Sequence, residues 1–402
     1  MKSILLFLFL VPVLFLSAQY TSADAVAVLK KVSQKLDALP AVRYRQIREM
    51  KYHADNYYAI DSATMYIEFK PDLPAGMRFQ AERRETFFIY NGLMSITLNN
   101  KSKTVDTAGI RSVKYLESNS FAYFSLASLR NNLPIVIAND SISKFLSDTT
   151  IDGKELFSVR IEGAGMYLNS FKGINYFTEP GLRRPYFLLI DKRTLHPCQL
   201  ISKLVQGNDD RDFITVTYRD IQSGASGPDR NTWTYSAYQG KYSPFIPPVK
   251  TLLIKPGAVV PAFKFPVYHP LKKDSLSIAD LKGKVVLLEF WFKACGPCLK
   301  AMPHYNNLQE KFGKDGFELV TINIEDSIQD IAFFYDKYPP TYPMLYNGIS
   351  LFERLGFSGC PSSLLVDRDG RAVRTFITFN QPVIEQSISE LLKPSTEISV
   401  TR

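Results

Sequence analysis

The stretch Val285-Val286-Leu287-Leu288-Glu289-Phe290-Trp291-Phe292-Lys293-Ala294-Cys295-Gly296-Pro297-Cys298 decides how this chain is read. Its first eight residues are too few for a helix of average length and too apolar for a surface strand. They predict a strand covered on both faces. Two cysteines separated by two residues follow, the raw material of a dithiol/disulfide couple. If the strand runs into a helix at Cys-Gly-Pro-Cys, the first sulfur sits at a helix N-terminus. There the unpaired N–H groups and the helix dipole stabilise a thiolate, the reactive form of a cysteine. Cys295 is thus the expected exposed nucleophile, and Cys298, about one turn in, the resolving thiol.

Working outward, the helix continues through Leu299-Lys300-Ala301-Met302-Pro303-His304-Tyr305. A strand pattern follows at residues 317–323 and a helix pattern at 328–337. Gly359-Cys360-Pro361-Ser362-Ser363 then turns into another apolar strand. Asp367-Arg368-Asp369-Gly370 reads as a hairpin turn into residues 371–378. A last helix, residues 382–392, stops at Pro394. The order of elements is β-α-β-α-β-β-α. Half of a zinc site is the other reading of Cys-x-x-Cys, and it needs a second ligand pair. Only Cys198 and Cys360 remain, and the chain has four histidines, so no metal or other cofactor is predicted.

Residues 259–394, about a third of the chain, resemble a thioredoxin-fold domain of the TlpA/ResA type, the bacterial extracytoplasmic thiol–disulfide oxidoreductases. Gly257 with Pro261-Ala262-Phe263 resembles that family's entry, and Leu281-Lys282-Gly283-Lys284-Val285-Val286-Leu287 its lead-in to the dithiol strand. The resemblance implies a helix kinked at Pro303 and a cis-proline at Pro361 facing the dithiol. It implies a substrate groove bordered by Trp291, Gly296, Pro297, Cys360 and Pro361. It also implies disulfide-bonded protein substrates and electrons from an inner-membrane thiol carrier. Two departures stand out: Ala301 occupies a position where the family often has glutamate, and Ala294 one where tryptophan is common. The first argues against a specialised cytochrome c maturation role. A peroxidatic loop, Pro-x-x-x-Thr-x-x-Cys, is not matched before Cys295.

Gly296-Pro297 is the pair that thioredoxin carries between its cysteines. Thioredoxin has a potential of about −270 mV, against about −120 mV for the strong oxidant DsbA. The dipeptide therefore leans towards reduction or isomerisation of disulfides. Glu289, six residues before Cys295, lies inside the apolar strand, at the position matching a buried aspartate of thioredoxins. Buried, its carboxyl group takes a raised pKa and can pass a proton to or from Cys298. At a strand end it would instead reach solvent. Cys360 has three open readings: a small packing residue, a third redox sulfur, or part of a three-thiolate site for a soft metal such as Cu(I). Cys198 reads as an inert sheet cysteine and His304 as a solvent-facing residue.

Residues 1–18 read as a secretory signal peptide: Lys2, an apolar run over residues 4–16, then Leu16-Ser17-Ala18 before a cleavage site. No cysteine follows that site, so the sequence points to export, most simply to the periplasm, without a lipid anchor. Disulfides form in that compartment. The formal net charge of +9 fits solvated basic faces or attraction to anionic envelope polymers and lipid. With this address and no phosphate loop or zinc-finger spacing, nucleic acid is excluded as a partner.

Residues 19–245 form the larger part. Ser22 or Asp24 can cap a helix carrying Leu29, Val32, Leu36 and Leu39, ended by Pro40. Period-two patterns follow, including a hairpin over residues 87–96 whose Asn91-Gly92 suits a type I′ turn. More strand patterns lie at 64–70, 157–162, 186–191, 199–205 and 213–221. The layout is α+β, a helix plus a long antiparallel sheet. Its order of elements, with the run Tyr186 to Pro197, resembles the LolA/LolB-like half-barrels, which implies lipid or envelope contact. Residues 246–258, rich in proline, read as a stiff linker, and 395–402 as a tail. The expected fold class is therefore an α+β N-terminal domain followed by an α/β thioredoxin-fold domain. The expected activity is an exported thiol–disulfide oxidoreductase. The alternative is a lipid, lipoprotein or copper carrier whose thioredoxin-like domain only docks partners.

Overall fold

In the computed structural model the described residues are 20–109, 116, 119, 121–168, 171, 173–176, 181–246, 253–269 and 274–393. The expected signal peptide, Pro247 and Pro248 of the linker, Pro394 and the expected tail lie outside them. The chain divides into two units, with the division between Phe245 and Ile246; Tyr52–Tyr57 group with the second unit.

The first unit is one long, almost wholly antiparallel sheet with helices. Helix Ser22–Asp37 begins at Thr21, not at Ser22 or Asp24 as expected. Thr21 accepts the Asp24 N–H, while the Asp24 carboxylate accepts the Thr21 N–H at 2.8 Å, a reciprocal capping box. Leu29, Val32 and Leu36 are buried, the stripe that their spacing predicts. The sheet runs from Ser143–Ile151 at one edge through Lys154–Glu162, Tyr186–Asp191, Pro197–Gln206 and Asp209–Ser223 to Ala41–Tyr52. It continues through Tyr57–Phe69, Met77–Glu82, Thr86–Tyr90, Met94–Asn99 and Thr104–Gly109 to Ser243–Pro244. The hairpin after Tyr90 is present, but its turn differs from the expected type I′. Gly92 takes positive φ (104°) and Asn91 does not. Instead the Asn91 side chain accepts the N–H groups of Leu93 and Met94, a local bond that fixes the turn without a left-handed asparagine. A second helix, Leu126–Ala138, was not expected: Pro134 within it hides its periodicity.

The second unit is a seven-stranded mixed sheet between helices. The strand order is Asp274–Ser277, Lys264–Val267, Met344–Leu345, Phe317–Asn323, Val285–Trp291, Ser362–Val366, Ala372–Phe376. Val285–Trp291 lies near the centre, parallel to Phe317–Asn323 and antiparallel to Ser362–Val366. Every residue of it is buried, as its apolar run predicts. Alternation sends Val286, Leu288 and Phe290 into one core, with Phe352 and Phe357. Val285, Leu287 and Trp291 enter the other core, beneath helices Gly296–Phe312 and Gln381–Leu392. The last part of the expected linker is not free-standing. Ile254 N–H donates to Leu355 O, and Gly257 N–H to Ala372 O at 2.7 Å, which pins this segment to the sheet domain.

Candidate active site

The strand Val285–Trp291 delivers the chain to Cys295, the N-cap of helix Gly296–Phe312. Pro297 sits in the first turn, where its missing N–H costs nothing. The Cys295 Sγ accepts the N–H of Cys298 at 3.2 Å. The Cys295 sulfur thus meets a donor of the helix N-terminus, an arrangement that favours negative charge on it. Cys295 and Cys298 are joined in a disulfide, with their Cα atoms 5.2 Å apart. Cys298 is fully buried. Cys295 is also buried (4% exposed), which corrects the expectation of an exposed sulfur. Access lies through its neighbours, since Ala294, Gly296 and Pro297 are exposed.

The turn before the dithiol is clamped. Lys293 N–H donates to the Asp326 carboxylate at 2.5 Å, and the Asn323 side chain donates to the same oxygen at 2.7 Å. Lys293 Nζ pairs with Asp330 at 2.8 Å. Burial pushes the Asp326 pKa up, against the pull of these donors. The sequence reading did not find Asp326 or Asn323. Their legible signal is Ser327 three residues before Asp330, a helix start that places them beside the dithiol turn.

Glu289 is buried (1% exposed), so the buried reading holds over the solvent-reaching one. It points to the same side as Leu287 and Trp291, towards the dithiol helix. Tyr305 from that helix donates its hydroxyl to Glu289 Oε1 at 3.0 Å. Burial raises the Glu289 pKa to about 8, opposed by the hydroxyl groups of Tyr305 and Ser363. The carboxyl group therefore changes protonation near neutral pH, the range a proton-transfer group needs.

The Cys360–Pro361 peptide bond is cis, as the family resemblance implies. Pro361 is buried and Cys360 half-buried, packed against both cores. Burial, with the Glu289 and Glu325 carboxylates, pushes the Cys360 thiol up to about 12. A thiol so firmly protonated is a poor nucleophile. Among the described residues no group of three His, Cys, Asp or Glu side chains could hold a metal ion. Trp291 does not border a groove in this structure. It is wholly buried, edge-on to Phe334 at 5.6 Å between ring centroids, so it belongs to the core under the dithiol helix. His304 is exposed and stacks on Phe379, and Cys198 lies half-buried in the first unit's sheet.

The Redoxin family matches residues 255–391. The thiol-disulfide oxidoreductase ResA of Halalkalibacterium halodurans is 26% identical over 129 residues, 32% of this chain and 73% of that protein. ResA of Bacillus cereus is 29% identical over 155 residues, 38% of this chain and 80% of that protein. Among solved structures, the thioredoxin domain of a thiol-disulfide oxidoreductase from Bacteroides vulgatus is 23% identical, with a TM-score of 0.32. It covers 35% of this chain and 99% of that one. The family match lies in the C-terminal third and does not support the half-barrel resemblance of residues 19–245. The C-terminal third of this chain is a Redoxin domain, similar in sequence to the ResA thiol-disulfide oxidoreductases.

Proposed function

We propose that this chain is an exported oxidoreductase that reduces or isomerises protein disulfides through Cys295 and Cys298. The observation that carries the reading is the Cys295 sulfur at the helix N-cap, accepting the Cys298 N–H, with the buried Glu289 beneath the same helix. In the reduced protein the Cys295 thiolate attacks a substrate disulfide. A Cys295–substrate S–S bond forms, the substrate's own S–S bond breaks, and the departing sulfur takes a proton from solvent. Cys298 then gives its proton to the Glu289 carboxylate and attacks the Cys295 sulfur. The second substrate sulfur leaves, the Cys295–Cys298 disulfide forms, and two electrons have passed to the substrate. A thiol donor returns the pair to the dithiol form. The apolar run at residues 4–16 supports export to the periplasm, where such a donor must come from the inner membrane.

The test is a Cys298→Ser variant produced with its leader in a bacterial host. Without the resolving thiol, substrates should remain attached to Cys295 and appear as higher-mass, reductant-sensitive species in non-reducing gels. Cys295→Ser should abolish them. Absence of such species from the Cys298→Ser protein, with lipid co-purifying instead, would favour a carrier and sink the exchange reading.

A further inference from the structure

Four segments of the second unit bring polar side chains to one place beneath the dithiol helix. Thr321, Glu289 and Ser363 are cross-strand partners and form a row across three strands. Thr321 N–H donates to Pro343 O at 3.0 Å, which sets Tyr342 beside that row. The Tyr342 ring lies edge-on to Tyr305, 6.1 Å between centroids, and Tyr305 holds Glu289 Oε1. Glu289, Thr321 and Tyr342 are all at least nine-tenths buried. Yet Glu289 Oε2, Thr321 Oγ1 and the Tyr342 hydroxyl oxygen have no partner among the described residues.

Buried polar atoms are rarely left without partners. A buried water typically makes about three hydrogen bonds to groups of this kind. One water can accept from the Tyr342 and Thr321 hydroxyls and donate to Glu289 Oε2, so its capacity matches the three atoms. We propose that Glu289, Thr321 and Tyr342 hold a water molecule through which Glu289 exchanges its proton with solvent, Thr321 and Tyr342 acting as positioning residues for the resolving step. The inference rests on the reading of Glu289 as the proton acceptor for Cys298. The proton that Cys298 loses goes to the Glu289 carboxylate. Glu289 then passes a proton to the water, which releases one of its own outward. The other titratable groups around Glu289 are Tyr305 from the dithiol helix, Tyr342 from the segment before Met344–Leu345, and Cys360 from the cis-proline turn.

The experiment uses the full chain labelled with 13C-glutamate, the Glu289 signal being assigned by its loss in Glu289→Gln. Its midpoint is titrated in the parent protein, Tyr342→Phe and Thr321→Val. In parallel, Cys298-driven release of thionitrobenzoate from a Cys295 mixed disulfide is followed from pH 5 to 10. Loss of a hydroxyl that supports the carboxylate should raise the midpoint by about one pH unit in each variant. Release at pH 7 should then slow about tenfold and recover at high pH. A merely structural role would slow release at every pH and leave the midpoint in place. An unmoved midpoint in both variants, with Glu289→Gln still abolishing the pH dependence, overturns the water site and leaves the proposed function standing. An unaltered profile in Glu289→Gln removes the base role itself, and the inference with it. Thr321→Val changes a single hydroxyl and carries the test if Tyr342→Phe does not fold.

Discussion

Glu289→Gln should make the oxidised second unit more stable at alkaline pH. The carboxyl group is buried among apolar side chains, and its pKa stands at about 8 where an ordinary glutamate has 4.5. The sign follows from proton counting. Below pH 4.5 the group is protonated in the folded and the unfolded chain alike. Between 4.5 and about 8 the unfolded chain has released its proton and the folded chain has kept it. The unfolded state then binds fewer protons, so stability falls across this window and the loss is complete above it. At 1.36 kcal/mol per pH unit, the rise from 4.5 to about 8 is worth about 5 kcal/mol. Glutamine keeps the shape and never ionises, so the stability of the variant relative to the parent should climb by up to about that amount between pH 4.5 and 9. Urea unfolding of the disulfide form reads this directly. The chain has two tryptophans, and in a Trp233→Phe background Trp291 alone reports on the second unit. Parallel stability curves for the two proteins from pH 5 to 9 would refute the argument, because they would mean that Glu289 ionises in the folded state as freely as in water.

Asp326→Ala should lower the stability of the same unit by about 1–3 kcal/mol, since it leaves the Lys293 N–H and the Asn323 amide without their shared acceptor. Hydrogen exchange should show the Lys293 amide opening faster, and an unchanged exchange rate would deny the clamp. In a Cys198→Ser background, Cys360 of the oxidised protein should react with iodoacetamide at pH 7.5 roughly a hundredfold or more slowly than an exposed peptide cysteine. Its thiol stands at about 12. Labelling as fast as that of glutathione would favour the redox reading of this sulfur.

The sequence was most legible where one chemical pattern dominates a short span. The apolar run before Cys295, interrupted only by Glu289, reads as a strand covered on both faces, and its spacing to the dithiol placed the helix N-cap. The strands at Lys264–Val267, Asp274–Ser277 and Met344–Leu345 escaped notice because two to four residues carry no periodicity. The partners of the site escaped for another reason. Asp326 meets Lys293 across 33 positions of sequence and Tyr305 meets Glu289 across 16, and such pairs form only when helices and strands pack. Trp291 shows the opposite error. Proximity to Cys295 suggested the groove, but in a strand the side chain's face is set by parity, and Trp291 shares its parity with Leu287 and Glu289, which face the core.

Cys295 has two duties that share one atom. Its sulfur accepts the Cys298 N–H at the start of a 17-residue helix, and in the proposed exchange the same sulfur breaks and makes bonds. Each turn of that exchange would therefore alter the cap of that helix. A thiolate is a stronger acceptor for the Cys298 N–H than a disulfide sulfur, so the first turn is held more tightly when the protein is reduced. By a thermodynamic cycle, whatever the thiolate adds to the folded state also favours the dithiol over the disulfide form. The stability of the reduced fold and its reducing power are linked with opposite sign, and changes in the first turn of this helix that strengthen one weaken the other.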